Sequence, residues 1–567
     1  MKSPKEASLP SLSSPSRRSF LGHAGGFTAA TLAAGAVGLG SLTESAETTA
    51  RADAIGPFTA EQRRTRCLLL RQLAAQYQYN QTLPDQISNG DDSRYANRIG
   101  SFTKTFPHNS LGEVDSNAYQ KYLLALTTGT PADYEAIPLG GTVKLANPQA
   151  ALAYGMDGAD SHHLTLPPTP RFDSAEQGAE MIELYWQALL RDLPFSRYHT
   201  DPLVLAAVND LQRQPGFEGT TTANLFRGIF PGEEIGPYIS QFLWKPIPSG
   251  AMMIDQRYRV PFRSADFMTS YPTWLAIQNG VAPADGIPYD ATPRYLRTGR
   301  DLGEYVHLDY TYQAFLNAAL ILIGLGLAYT DDANPYKTST KQGGFSTFGG
   351  PLVLDMVARV ANKALQAAWY QKWGVHRRIR PEEYGGRVHN HLSGATRYPL
   401  PANLLESPAT AAIYNRFGTW LLPQAYPEGC PTHPAYPSGH AAIAGACTTI
   451  LKACFKESAV FPNPVVASDD GLLLDPYDGT LTIGGELNKL AANVGIGRDI
   501  AGVHWRSDAI QGMLLGEAVA ISVLNEMYSC VNESFEGFTL TKFDGTTIRL
   551  NTGPRTTTRF VRTVGRL

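Results

Sequence analysis

Cysteine is scarce. The five cysteines in 567 residues, Cys67, Cys430, Cys447, Cys454 and Cys530, show neither CxxC pairs nor zinc-site spacing, so no disulfide framework or thiolate metal centre organises the fold. Their odd number leaves at least one outside any intrachain pair. Cys447 and Cys454 fall on one predicted helix roughly 10 Å apart along its axis, too far for a bridge. Charge is sparse too, at 17% with a net of −3. Without a long basic block there is no footprint for nucleic acid. Internal repeats and heptad runs are missing, which leaves out solenoids and coiled coils. Long uninterrupted apolar runs are also missing. Residues 310–328 come nearest, but Gln313 and Asn317 interrupt them, so they read as a core helix and not as a membrane span.

What remains is an ordinary globular composition, 43% apolar, in a chain long enough for several core-bearing regions or one large helical domain. Ser16-Arg17-Arg18-Ser19-Phe20-Leu21, ahead of a mild Gly/Ala-rich apolar stretch, reads as a twin-arginine signal with cleavage options from Ala50 to Ala54. The expectation is export of a folded protein to a periplasmic or extracellular location, with no stable membrane anchor. The chain then divides into this leader (1–52), a helical and loop-rich region (53–345), a helical bundle (346–530) and a β tail (531–567). Ser174-Ala-Glu-Gln177 is a capping box that opens a helix. Residues 90–166 read mostly as wrapping loops, and 241–293 as irregular structure or short strands. Pro351 suits the first turn of a helix running to Trp373, a shorter helix covers 488–494, and the last long one covers 507–528. Residues 538–550 read as a hairpin turning at Asp544-Gly545. The fold class is mainly α, helices packed as bundles, with a small β hairpin near the C-terminus.

The stretch 433–455, HPAYPSGHAAIAGACTTILKACF, organises the rest. Pro434 and Pro437 keep its approach extended, Ser438 stands where an N-cap belongs, and the apolar run that follows makes a buried helix. The first free N–H groups of such a helix, with its positive dipole end, suit an oxyanion. An ordinary capped core helix would read the same, but two more stretches add to it. Lys372-Trp-Gly-Val-His-Arg-Arg-Ile-Arg380-Pro381 ends a helical pattern with well-spaced cations, and Gly497-Arg498-Asp-Ile-Ala-Gly-Val-His504 adds a cation and a histidine. Together they can surround one tetrahedral anion. The competing reading makes Arg377, Arg378 and Arg380 a solvated basic helix end. Arg498 and His504 are six apart, so a turn must separate them if both face one site. Asp508, four after His504, is placed to orient an imidazole or to pair with an arginine. His376 and the pair His162-His163 read as structural.

These three motifs, in this order, resemble the superfamily of type 2 phosphatidic acid phosphatases, bacterial acid phosphatases and vanadium-dependent haloperoxidases. The resemblance implies an oxyanion cradle in which Lys372, Arg380 and Arg498 supply charge, while the Ser438 hydroxyl and the Gly439 N–H complete the equator. It implies His504 on the axis, as nucleophile in a phosphatase or as vanadium ligand in a haloperoxidase, and His440 opposite as acid/base. Seven residues separate Lys372 from Arg380, as in algal bromoperoxidases, where phosphatases and fungal-type chloroperoxidases have six. His433, seven before His440, matches the second histidine of bromoperoxidases and is implied to act beside His440 and Lys372. The segments GSFTKTFPH, KLANPQAALAY, DSAEQGAEMIELYW and KWGVHRRIRPE are similar to red-algal and cyanobacterial vanadium bromoperoxidases, across roughly residues 66–532. Trp369 departs from the arginine of the red-algal enzymes and follows the chloroperoxidases and brown-algal enzymes; it is the residue implied on the halide side. The implied function is a vanadate-dependent bromoperoxidase that oxidises bromide and iodide with hydrogen peroxide and halogenates small organic acceptors. An exported acid phosphatase and a non-catalytic oxyanion-binding protein are the alternatives. The family further implies a homo-oligomer, from dimer to dodecamer, and a structural calcium in the loop before the Lys372 helix.

Overall fold

Many of the described helices begin where the sequence places a side-chain oxygen. Ser174 Oγ accepts from Gln177 N at 3.2 Å and opens the helix Ala175–Leu190. Thr298 caps Gly299–Leu308, Ser438 caps Gly439–Cys454 and Thr482 caps Ile483–Ile500 in the same way. The computed structural model describes residues 56–551 and 553; the twin-arginine segment and its cleavage options lie outside the described residues. The described residues from Arg64 onward make up one unit. The architecture is mainly α, and the strands among the described residues form three two-stranded antiparallel ribbons. The C-terminal ribbon, Phe538–Thr541 with Thr547–Leu550, is the hairpin read from Asp544-Gly545, with Gly545 at φ 81° in its turn.

Gly439–Cys454 is the hub. It is buried along almost its whole length and packs against Arg506–Tyr528, Gly350–Trp369 and Ile483–Ile500. Glycine allows the closest of these crossings. A Cβ on Gly516 would lie 1.9 Å from the Ala442 carbonyl oxygen, and one on Gly445 would lie 2.0 Å from that of Met513. The two backbones therefore meet with no side chain between them. Arg506–Tyr528 is long and apolar enough to cross a membrane, but 72% of its apolar window is buried, as suits a bundle core. A second core surrounds Ala175–Leu190, and a third, aromatic one gathers Phe102, Phe106, Tyr119, Tyr122 and Trp373. That third core shows what the loop-rich region 90–166 wraps. All five cysteines are unpaired.

Three predicted boundaries shift. The helix expected to run to Trp373 is α-helical only over Gly350–Trp369 and continues as a π-helical turn, Tyr370–His376. The helix read at 488–494 is the longer Ile483–Ile500. Its glycines lower helix propensity, yet Gly495 and Gly497 sit against Ala509, Val306 and Leu302, so packing overrides propensity. The 310–328 stretch is α-helical only over Gln313–Gly324 and ends in a separate 3-10 turn, Leu327–Tyr329.

Candidate active site

The π turn places the first cation. Arg377 ends it in the left-handed region (φ 44°), its N–H bonded to Lys372 O at 3.0 Å. The chain then extends to Arg380, which precedes Pro381 at the start of Pro381–Leu392. Lys372 and Arg380 thus flank a chain reversal, and both are fully buried. The solvated basic end is thereby corrected: Arg378 and Arg380 are both inside the protein, because each has polar partners there that water would otherwise supply.

Lys372 Nζ donates to the carbonyls of Pro434 and Ala435 at 3.0 and 2.7 Å, which fixes the extended approach to Ser438. Arg380 Nε donates to His433 O at 2.8 Å and Nη1 to Val503 O at 2.7 Å. Its Nη1 also lies 3.1 Å from His504 Nε2, and its Nη2 lies 2.9 Å from His433 Nδ1. Arg498 comes from the last turn of Ile483–Ile500, and the chain turns before His504, as the six-residue spacing required. Its Nη1 donates to Val306 O at 2.7 Å, its guanidinium lies 5.4 Å from the Tyr426 ring centre, and its buried Nε has no partner. Among the described residues, the direct partners of these three cations are carbonyls, imidazoles and a phenol, never a carboxylate.

That arrangement is short of negative charge. Burial, with Arg380 and Arg498 nearby, holds the Lys372 ammonium well below the usual lysine pKa. Burial and the same cations depress His504 and His433 well below the usual histidine value. The carboxylate beside His504, Asp508, is already engaged. Its Oδ2 accepts from His504 Nδ1 at 2.9 Å and its Oδ1 from Arg378 Nη1 at 2.7 Å. Of the two roles open to Asp508 in sequence, it therefore fills both. Because a carboxylate can only accept, the His504 proton sits on Nδ1 and the Nε2 lone pair faces Arg380 and the cradle.

Ser438 is fully buried; its N–H donates to Asp508 O at 2.9 Å and its Oγ accepts from Ala441 N at 3.3 Å. Its hydroxyl proton remains available. A Cβ on Gly439 would lie 3.2 Å from Leu365 and 3.3 Å from Trp369, so glycine keeps this wall open. His433 packs on Trp369, ring centres 4.7 Å apart, and Trp369 Nε1 donates to Ala146 O at 3.2 Å. These residues fit a tetrahedral oxyanion: buried cations without a counter-charge, a hydroxyl with a proton to donate, helix N-terminal N–H groups and an unprotonated imidazole nitrogen whose neighbour is a guanidinium.

His440 stands apart from this group. It is partly exposed, and its Nε2 lies 3.0 Å from Asp309 Oδ1. Asp309 follows the helix Gly299–Leu308 and was not legible in sequence, since nothing in Leu308-Asp309-Tyr310 signals a partner 131 residues away. Glu180 and Gln177, which hold Arg378, were likewise missed; the one signal was charge inside a helix that is otherwise core. His376, read as structural, is buried against the Tyr436 ring at 4.6 Å.

Comparison with known proteins gives one consistent picture. The family described as "VCPO second helical-bundle domain" matches residues 354–533. A vanadium-dependent bromoperoxidase from Ascophyllum nodosum is 36% identical over 497 residues, 82% of this chain and 88% of that protein. One from Corallina pilulifera is 34% identical over 586 residues, 85% of this chain and 97% of that protein. Among solved structures, the homohexameric second vanadate-dependent bromoperoxidase of Ascophyllum nodosum superposes with a TM-score of 0.84 at 30% identity, covering 90% of this chain and 94% of that one.

Proposed function

This chain belongs to the vanadium-dependent bromoperoxidases, and from that premise we propose that His504 Nε2 ligates vanadate while Lys372, Arg380, Arg498, Ser438 and Gly439 cradle it. The supporting observation is the set of three buried cations, none paired with a carboxylate, around a histidine whose lone pair faces them. When bound, vanadate supplies a Lewis acid that activates hydrogen peroxide toward attack by halide. The chain's own residues do the rest. Lys372, held by two carbonyls, directs its remaining N–H at the cradle and stabilises negative charge there. His433, against Arg380 and Trp369, is the proton-exchanging group on the halide side. His440, oriented by Asp309 at the rim, exchanges protons with entering peroxide and departing water.

Reconstitution tests this reading. Enzyme loaded with orthovanadate should brominate a phenol dye only when bromide and peroxide are both present, and His504→Ala should lose bound vanadium and activity together. Rapid phosphate-ester turnover, with no peroxidase activity after vanadate loading, would overturn it in favour of the phosphatase chemistry that the same cradle allows.

Small organic acceptors are halogenated, in the same proposal, by the released oxidant without tight binding. Assembly into a homo-oligomer is supported by the hexameric structural relative and by Leu68, Leu69 and Leu73, each more than half exposed; light scattering at the mass of one chain would remove it. Export by the twin-arginine route rests on Arg17-Arg18 and the apolar stretch after it; an Arg17→Lys, Arg18→Lys chain that still leaves the cytoplasm would remove that. Calcium rests on family alone, since no three His, Cys, Asp or Glu side chains converge as metal ligands among the described residues.

A further inference from the structure

The carboxylate that orients His504 is itself held from behind. Asp508 is fully buried, and its Oδ2 accepts from both His504 Nδ1 and the Trp505 backbone N–H, at 2.9 and 3.1 Å. Arg378 reaches its other oxygen with Nη1 at 2.7 Å, and the same nitrogen donates to Ser507 Oγ at 2.8 Å. The second arm of the guanidinium points elsewhere: Nη2 donates to Glu180 Oε2 at 2.7 Å and to Gln177 Oε1 at 2.9 Å. Glu180 Oε1 in turn accepts the Ser507 backbone N–H at 3.0 Å. Gln177 and Glu180 lie on Ala175–Leu190, well before every motif of the cradle in sequence.

A planar guanidinium meets a lone carboxylate most favourably as a two-pronged clamp. Here the fork is split between two carboxylates, and Arg378 Nε is buried without a partner. If Glu180 were absent, both prongs would be free to close on Asp508 and draw Oδ2 away from the imidazole. His504 would then have no fixed acceptor at Nδ1, and either ring nitrogen could carry the proton. We propose that Glu180 and Arg378 are positioning residues that, acting through Asp508, keep the His504 lone pair on Nε2 and aimed into the cradle. The proposal rests on the reading of His504 as the vanadate ligand.

Comparing two anions tests it. Vanadate needs both the cations and a bond to Nε2, whereas inorganic phosphate is held by the cations and hydrogen bonds alone. In the full-length, anion-free protein, Glu180→Gln and Arg378→Lys should each weaken vanadate binding about 10- to 100-fold while leaving phosphate binding unchanged, both measured by equilibrium dialysis. A parallel loss of both anions, or no change in either, would overturn the proposal, because simple loosening of the fold does not distinguish them. Glu183→Gln is the control: Glu183 lies on the same helix and pairs with Arg506, not Arg378. It should leave the vanadate-to-phosphate ratio at the wild-type value, and a shift as large as that of Glu180→Gln would also overturn the proposal. Should Glu180→Gln not fold, Gln177→Leu removes one acceptor from the same arm and should lower the ratio in the same direction; an unchanged ratio counts against the proposal. His504→Ala that binds vanadate as tightly as wild type would overturn the ligand assignment itself, and the positioning role with it.

Discussion

His433 is placed where one side chain would tune the proposed site without holding it together. Its ring lies between the Arg380 guanidinium and the Trp369 indole, and burial with Arg380 and Lys372 nearby holds its pKa well below the usual histidine value. An anion in the cradle would act in the opposite sense and favour its protonated form. In His433→Phe the three cations and His504 remain. Vanadate affinity should therefore change less than about tenfold, whereas the ratio of bromide to chloride turnover should move by about 10- to 100-fold, the value of one hydrogen bond to a charged group. Steady-state rates for both halides from about pH 5 to 8 check this, and unaltered kinetics would reduce His433 to a loop-fixing residue. Lys372, Arg380, Ser438, Arg498 and His504 were legible in sequence because each belongs to a short motif whose spacing has a chemical reason. Asp309, Glu180 and Gln177 were not, because each meets its partner only through packing between stretches more than a hundred residues apart.

At the scale of elements, the bundle depends on crossings too close for any side chain. Gly516 meets the Ala442 carbonyl oxygen at a distance where a Cβ cannot fit, and that oxygen belongs to backbone that cannot swing aside. Gly516→Ala should separate Arg506–Tyr528 from Gly439–Cys454 and destabilise the protein by about 3 kcal/mol or more, at the upper end of overpacking. Because Gly439 opens one helix and Asp508, which holds His504, lies on the other, vanadate binding should weaken with it. Denaturant midpoints together with vanadium content check this; a midpoint within about 0.5 kcal/mol of wild type, the range of neutral surface changes, would mean the helices can part without loss. The hub helix itself was legible, since Pro437, Ser438 and an apolar run specify a start and a burial. The π turn was not: residues 370–376 keep an apolar pattern consistent with a continuing α-helix, and only the demand that Lys372 and Arg380 face the same point distinguishes the two. Ile483–Ile500 was read too short for the reason that makes it fit, glycines that disfavour an isolated helix but permit close packing.

For the whole molecule, the uncompensated cradle is a debt in folding free energy that a bound anion relieves. Lys372, Arg380 and Arg498 leave water on folding and recover hydrogen bonds to carbonyls but no counter-charge, and cations buried in this way oppose the folded state. An anion that binds only the folded chain stabilises it by mass action, by about 2.7 kcal/mol when free anion exceeds its Kd 100-fold. Vanadate should therefore raise the melting temperature of the anion-free protein, and phosphate should do so less at equal concentration, because it lacks the bond to His504 Nε2. In His504→Ala the two anions should become nearly equivalent, with the cations still present and the coordinate bond gone. Melting curves of both proteins in each anion, at fixed pH and ionic strength, separate the contributions. If neither anion shifts the wild-type transition, the three cations are balanced within the protein itself and the cradle does not act as an anion site.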